Sequence, residues 1–461
     1  RIHDEVNTPM KPSTQPTLHP ASHPVPDPAR RGLLASLLGV GAWLALPAQA
    51  APAGAAAAAA DGRLVVVFLR GAYDGLSALV PWSDPDYARL RPNIAIPAPG
   101  AGDEAALRLD ERFALHPALA PLLPLWQAGV LAAIPCAGSP DPTRSHFDAQ
   151  HHWEVGIPGR SSAHDGWLNT LAAEHPGSRA LGVGEANPLI LAGTAPVQLV
   201  PRGQAATRAG VVGADASRAA VLRLYAGNDA LSQAFRAGAD SRLETSQALA
   251  QAQVAAESGA AAPMTPGMMA PGVSAMDGTR REMMAANNGA GPARGLRLDA
   301  QHLGTLMRRD PAMRWGFLSA GGWDTHVNQG ASRGALANNL AALAEALVQL
   351  RQDFNRPNDV VAVVSEFGRT AAENGSRGTD HGHGNTVWLM GDAVAGGRWH
   401  GRWDGLAASA LHEGRDLPVH HDFRAVFARV LARTAGLDEA QAQRLFPGYR
   451  PDPALAGLMR G

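Results

Sequence analysis

At 461 residues the chain has room for one large domain or two to three ordinary ones. It is 46% hydrophobic and 18% charged, with 51 Gly, 35 Pro and only 5% aromatic residues, a globular mix whose Gly and Pro content predicts long loops or inserts. Lys plus Arg of 40 against Asp plus Glu of 41 leaves a formal net charge of −1, without the basic excess of a nucleic-acid binder. The single cysteine, Cys136, excludes an intramolecular disulfide and every multi-cysteine zinc site. The unusual component is histidine, 17 in all, six of them between His381 and His421.

Residues 1–29 are polar, rich in Pro and His, and without periodicity. Arg30-Arg31 then precede an apolar run through Leu46 that ends Pro47-Ala48-Gln49-Ala50. A twin-arginine start, a short apolar stretch and a small-residue cleavage signal describe an export signal over residues 1–50. The apolar run, roughly 15 residues against the ~20 that a spanning helix needs, is too short to cross a bilayer. The expectations are a periplasmic or secreted location, the twin-arginine export machinery as a partner, and no spanning segment in the mature form. Residues 51–61 read as an alanine-rich linker.

From there the chain alternates strands and helices. LVVVFL at Leu64–Leu69 is a continuous β-branched and apolar run of the kind buried on both faces of a parallel sheet. Similar runs lie at 130–134, 315–319, 360–365 and 386–390. A helical stretch covers 117–127. Leu336, Leu340, Leu343, Leu347 and Leu350 share one helix face, and Asp422 caps a further helix over 422–435. The alternation predicts an α/β fold with a largely parallel sheet. An Ala, Met, Gly and Pro segment at about 248–295 interrupts it, with Met264, Met268, Met269, Met276, Met283 and Met284. Thioethers can bind copper(I), but these have no fixed spacing, and a flexible insert is the preferred reading.

Ligands of open parallel sheets sit at the carboxyl ends of the strands, so the residues after each strand are the informative ones. They are Arg70-Gly71-Ala72-Tyr73-Asp74, Pro142-Thr143-Arg144-Ser145-His146, Gly321-Gly322-Trp323-Asp324-Thr325-His326 and Ser365-Glu366-Phe367-Gly368-Arg369. Asp380-His381-Gly382-His383 precede the last strand. Carboxylates and imidazoles without thiolates suit Zn²⁺ or Mn²⁺, with Mg²⁺ or Ca²⁺ where oxygens dominate. Asp74 is a ligand, a helix cap or a turn residue, and Glu366 is a ligand, the ion-pair partner of Arg369, or solvent-facing. Gly330-Ala331-Ser332-Arg333-Gly334 matches an esterase elbow, but no strand leads into it, and Ser332 is assigned to capping the following helix.

Taken together, LVVVFLRGAYDGL, LHPALAPL, TRSHFDAQHHWEVG, GWDTH, VVSEFGRT, RGTDHGHGN and FPGY, spanning Leu64 to Tyr449, resemble the bacterial family called domain of unknown function 1501. That family is similar to a branch of the alkaline phosphatase superfamily, which also holds sulfatases and phosphoglycerate mutases. The resemblance implies an alkaline-phosphatase-like α/β domain over 62–455, its mainly parallel central sheet sandwiched by helices, with one or two divalent metals at the strand ends. It implies Ser145 as hydroxyl nucleophile, with Thr143 second, and His146 beside it in the catalytic set. Asp74, Asp324, His326, Glu366, Asp380, His381 and His383 become the candidate metal ligands. The expected geometry has Asp324, His326 and at least one of His381 and His383 around one ion, bordered by Asp74 and Glu366. Departures are the short Asp324-to-His326 spacing, Asn328, Phe367 where a histidine is usual, and Pro140 where a sulfatase has its modified cysteine. The implied function is an exported metal-dependent hydrolase or transferase of small-molecule or polymer phosphate or sulfate esters. The departures motivate the alternative, a catalytically silent envelope binding or assembly protein that keeps the fold.

Overall fold

A computed structural model of the chain describes residues 61–159, 162–259 and 286–461. The segments expected to form an export signal and, up to residue 60, an alanine-rich linker, and the six methionines from Met264 to Met284, lie outside the described residues.

The first apolar run forms β1 (Leu64–Leu69), which lies at the middle of a nine-stranded sheet. In chain order the other long strands are β2 (Leu131–Gly138), β3 (Arg179–Gly184), β4 (Val197–Pro201), β5 (Met313–Ala320), β6 (Val360–Val364) and β7 (Asn385–Met390). Their spatial order is β2-β7-β6-β1-β5-β3-β4. β1 runs parallel to both neighbours, Leu64 pairing with Trp315 of β5 and with Val360 of β6. The sheet is therefore mainly parallel, as the alternation of elements predicts.

Because side chains alternate across a strand, β1 feeds two cores. Leu64, Val66 and Phe68 pack with the helices at Trp167–Glu174 and Phe423–Thr434. Val65, Val67 and Leu69 pack with those at Leu296–Arg309 and Ala335–Asp353. The five leucines of the predicted stripe are all buried in this second layer. Each contributes about 1.5–3 kcal/mol by leaving water. Asp422 caps the helix at Phe423–Thr434 through the Arg424 amide, as expected.

Several expectations need correction. β7 is antiparallel to both β6 and β2. The 365–384 connection contains no helix to carry the chain back across the sheet, so β7 returns beside β6 in the opposite direction. β3 (RALGVG) and β4 (VQLVP) escaped the reading because glycine, proline and a surface arginine break their apolar runs. The insert expected from residue 248 begins instead as the end of a helix, Ala230–Gly259. Ser332 does not cap the leucine-faced helix: that helix starts after Gly334 with no side-chain cap, and the Ser332 hydroxyl donates to the Glu104 carbonyl. No helix among the described residues is long and apolar enough to cross a membrane.

Candidate metal centre

Five chain segments meet at the edge of the sheet where β1, β5 and β6 end. β7, being reversed, begins there and brings its preceding loop to the same place. Glycine permits the close approach. Gly71, at a φ of +112°, lies where a Cβ would come within 2.7 Å of the Asp324 amide nitrogen. A Cβ on Gly382 would fall 2.5 Å from the Arg369 backbone.

His146 opens the helix His146–Val155, Asp324 follows β5, and His381 sits in the loop before β7. One ligand atom from each lies within 4.8 Å of the others. The Nε2 atoms of His146 and His381 are 3.0 Å apart, with the Asp324 carboxylate 3.3 Å from His381 and 3.6 Å from His146. Donors bound at 2.0–2.1 Å around a tetrahedral ion stand roughly 3.3 Å from one another, so the spacing fits a zinc-like cation. His326 adds a third imidazole on the solvent side, its Nε2 3.0 Å from that of His381 and 2.9 Å from Asp324. Side-chain exposure rises from 10% at His146 to 25% at His381 and 39% at His326, so the centre opens toward His326.

The other ring nitrogens explain why these Nε2 atoms converge. His146 Nδ1 meets Glu366 at 2.7 Å, His326 Nδ1 meets Asp380 at 3.0 Å, and His381 Nδ1 meets the Arg144 carbonyl at 2.9 Å. Carboxylates and carbonyls only accept, so each Nδ1 is the donor and each neutral ring turns its Nε2 lone pair inward. Two such lone pairs facing each other at 3.0 Å repel unless positive charge lies between them.

The electrostatics agree. Burial works against the charged form of Asp324, but the imidazoles of His146, His326 and His381 around it and the charge of Arg369 hold its carboxyl far below the usual range. Burial likewise opposes the Glu366 anion, yet His146 and Gln150 keep its pKa down at about 2. Burial would lower His146, whereas Asp324 and Glu366 push it up to about 9. Set between these two carboxylates, with Arg369 already paired to Asp324, His146 favours its protonated form. A divalent ion would take that proton's place.

The sequence-predicted residues thus separate. Asp324 and His381 converge as expected, with His326 beside them. His146, expected in the catalytic set, stands among the candidate ligands. Glu366 and Asp380, expected as ligands, orient His146 and His326 from behind. Arg369 pairs with Asp324, not with Glu366, and also binds the carbonyls of Gly71, Ala72 and Thr379. Asp74 is not part of the cluster. It is fully buried, with its oxygens committed to Arg91 at 2.6 and 3.0 Å, Ser77 at 2.7 Å and Gln329 at 2.7 Å. His383 packs against His412, the ring centroids 4.6 Å apart and the planes tilted by 31°, and burial followed by the His412 charge lowers it to about 4. Ser145 is the N-cap of its helix, its Oγ accepting the Asp148 amide at 3.4 Å. Thr143 in turn accepts from the Ser145 amide. Gln150, which touches Glu366, is not among the sequence-derived candidates. Its spacing four residues after His146, on the same helix face, was the available signal.

A family model described as protein of unknown function (DUF1501) matches residues 132–446. No curated protein matches the chain. Similar solved structures include alkaline phosphatase from the Antarctic bacterium TAB5, at 10% identity and a TM-score of 0.31, over 81% of this chain and 98% of that one. A histidine-to-glutamate mutant of that enzyme, described with Mg bound, is similar at 11% identity and a TM-score of 0.32, over 82% and 98%.

Proposed function

The chain belongs to the DUF1501 family, and we propose that it is an exported, metal-dependent hydrolase or transferase acting on phosphate or sulfate esters. One observation carries the metal-dependent part: imidazole Nε2 atoms 3.0 Å apart beside a carboxylate, each ring anchored through its Nδ1. His146, Asp324 and His381 would hold the ion. Two imidazoles and one carboxylate favour zinc or manganese over magnesium or calcium, which prefer all-oxygen sites. When bound, such an ion polarises an ester oxygen and makes water easier to deprotonate.

The chain's own residues set the rest. Glu366 and the Arg144 carbonyl fix the inner rings, and Arg369 fixes Asp324. His326, held by Asp380, presents its Nε2 at the open edge where a substrate enters. The Ser145 hydroxyl oxygen caps its helix through one long amide bond and keeps a second lone pair, so Ser145 and water are both candidate nucleophiles in this reading. Reconstitution with zinc, manganese, magnesium or calcium, followed by a panel of phosphomonoesters, phosphodiesters and sulfate esters, tests the proposal. Turnover that disappears in Asp324→Ala supports it.

The second reading, a silent envelope binding or assembly protein, draws on that same cap and on the arginines around the centre. Arg144 is paired with Glu413 and Asp416, and Arg369 with Asp324. Full metal occupancy without turnover on any ester would favour it. Export to the periplasm or beyond rests on Arg30-Arg31 and the stretch after them. Retention in the cytoplasm on Arg30→Lys with Arg31→Lys is the expected result, read by cell fractionation.

A further inference from the structure

The helix that supplies His146 carries Gln150 and Glu154 at the same face, four and eight residues on. This row lies along a buried polar chain. Glu366 Oε1 accepts from His146 Nδ1 at 2.7 Å, from the Gly71 amide at 2.8 Å and from Gln150 Nε2 at 2.9 Å. The Gln150 amide oxygen accepts from Arg70 Nη1 at 2.9 Å. Arg70 is gripped by Glu185 through two bonds of 2.5 and 2.9 Å, and by Glu154 through one of 2.9 Å. Arg70 is fully buried, and Gln150, Glu154 and Glu366 are each 1% exposed.

An amide between a guanidinium and a carboxylate has only one workable orientation. Its oxygen must face Arg70, which only donates, and its NH₂ must face Glu366, which only accepts. Turning it over would set oxygen against oxygen and N–H against N–H in a place without water, where unmade hydrogen bonds are expensive. The third Gln150 bond, from Nε2 to the Ala286 carbonyl at 2.6 Å, fixes the same orientation. Gln150 also keeps the Arg70 charge from pairing directly with Glu366, so that the carboxylate stays directed at His146.

We infer that Gln150, locked by Arg70, is a positioning residue that holds Glu366 toward His146 Nδ1 and so keeps the His146 Nε2 turned into the metal centre. It touches neither the proposed ion nor the substrate. The inference rests on the metal-binding part of the proposed function. Partners behind ligating histidines are worth about 10–100-fold in metal affinity.

The test is zinc affinity of the full chain, measured by competition with a chromophoric chelator, for the wild type and Gln150→Met. Methionine keeps the length of the side chain without its polarity. The expected result is zinc binding weaker by up to about 10-fold, the low end of the range for direct partners of a ligating histidine, with unchanged circular dichroism and an altered His146 Nδ1 signal in ¹⁵N-edited spectra of the zinc-loaded protein. Should Gln150→Met not fold, Gln150→Asn keeps the amide but is too short to span Arg70 and Glu366, and the same loss is expected. Wild-type affinity and an unchanged His146 signal in a folded variant would overturn the inference alone. A wild type that binds no zinc would overturn the metal reading with it.

Discussion

Asp74 and Asp324 follow paired neighbouring strands, each through a glycine-containing turn, and in sequence they look equivalent. The fold uses them in opposite ways. Asp74 is enclosed, facing a guanidinium, a hydroxyl and an amide that can all donate to it. Its charge is matched within the protein and nothing more is needed. Asp324 is 19% exposed and, besides its pair with Arg369, faces three imidazoles whose Nδ1 donors are spent elsewhere. On the imidazole side its surroundings supply lone pairs in excess of protons. What separates a structural carboxylate from a candidate ligand here is the kind of partner around it.

Substitution at the two positions should break this comparison in different observables. The largest effect expected is in Asp324→Ala: stoichiometric metal is lost, while the metal-free protein still melts cooperatively, as metal analysis and calorimetry would show. Asp74→Ala should do the reverse. It strands the buried Arg91 charge and costs about 3–5 kcal/mol in urea unfolding, yet the folded fraction keeps its metal.

The pH dependence sharpens the contrast. Burial opposes the Asp74 anion, but Arg91, Ser77 and Gln329 outweigh it and lower its pKa in the folded state. A lowered folded value means the pair's stabilisation is complete above the unfolded pKa of about 3.9 and is lost as pH falls through the folded value. Urea midpoints between neutral and acid pH should therefore drop steeply below about pH 4 in the wild type, and less steeply in Asp74→Asn. Smaller still is the effect expected of Glu366→Gln, about 10–100-fold in zinc affinity, read by chelator competition. His383→Leu, on the neighbouring imidazole that packs against His412, should leave zinc affinity unchanged in the same assay.

Much of the scaffold was legible because burial on both faces of a parallel strand writes itself as an unbroken apolar run. LVVVFL and VVAVV announce β1 and β6 without ambiguity. Arg179–Gly184 carries the same role with two glycines and a charged end, so its partners in the sheet make it a strand more than its own residues do. The direction of β7 was invisible to periodicity, which has no sign. At the site, Asp324 and His381 were readable from dense local motifs. Asp74 misled because its partner Arg91 lies 17 residues on and carries no motif. His383 misled because two residues of loop, with a glycine between, turn it onto His412 while His381 faces the centre. Gln150 was passed over because an amide carries no metal-ligand signature, although its place behind His146 follows from helical spacing alone.

Metal content is the most direct measure of the central claim. The full chain, stripped with chelator, offered zinc or manganese and freed of excess by gel filtration, should carry about one equivalent of divalent ion, held by the set that His146, Asp324 and His381 provide among the described residues. Asp324→Ala treated alongside should carry next to none. A wild type that retains less than about a tenth of an equivalent after each metal, at a pH where imidazoles are free to bind, would contradict the account.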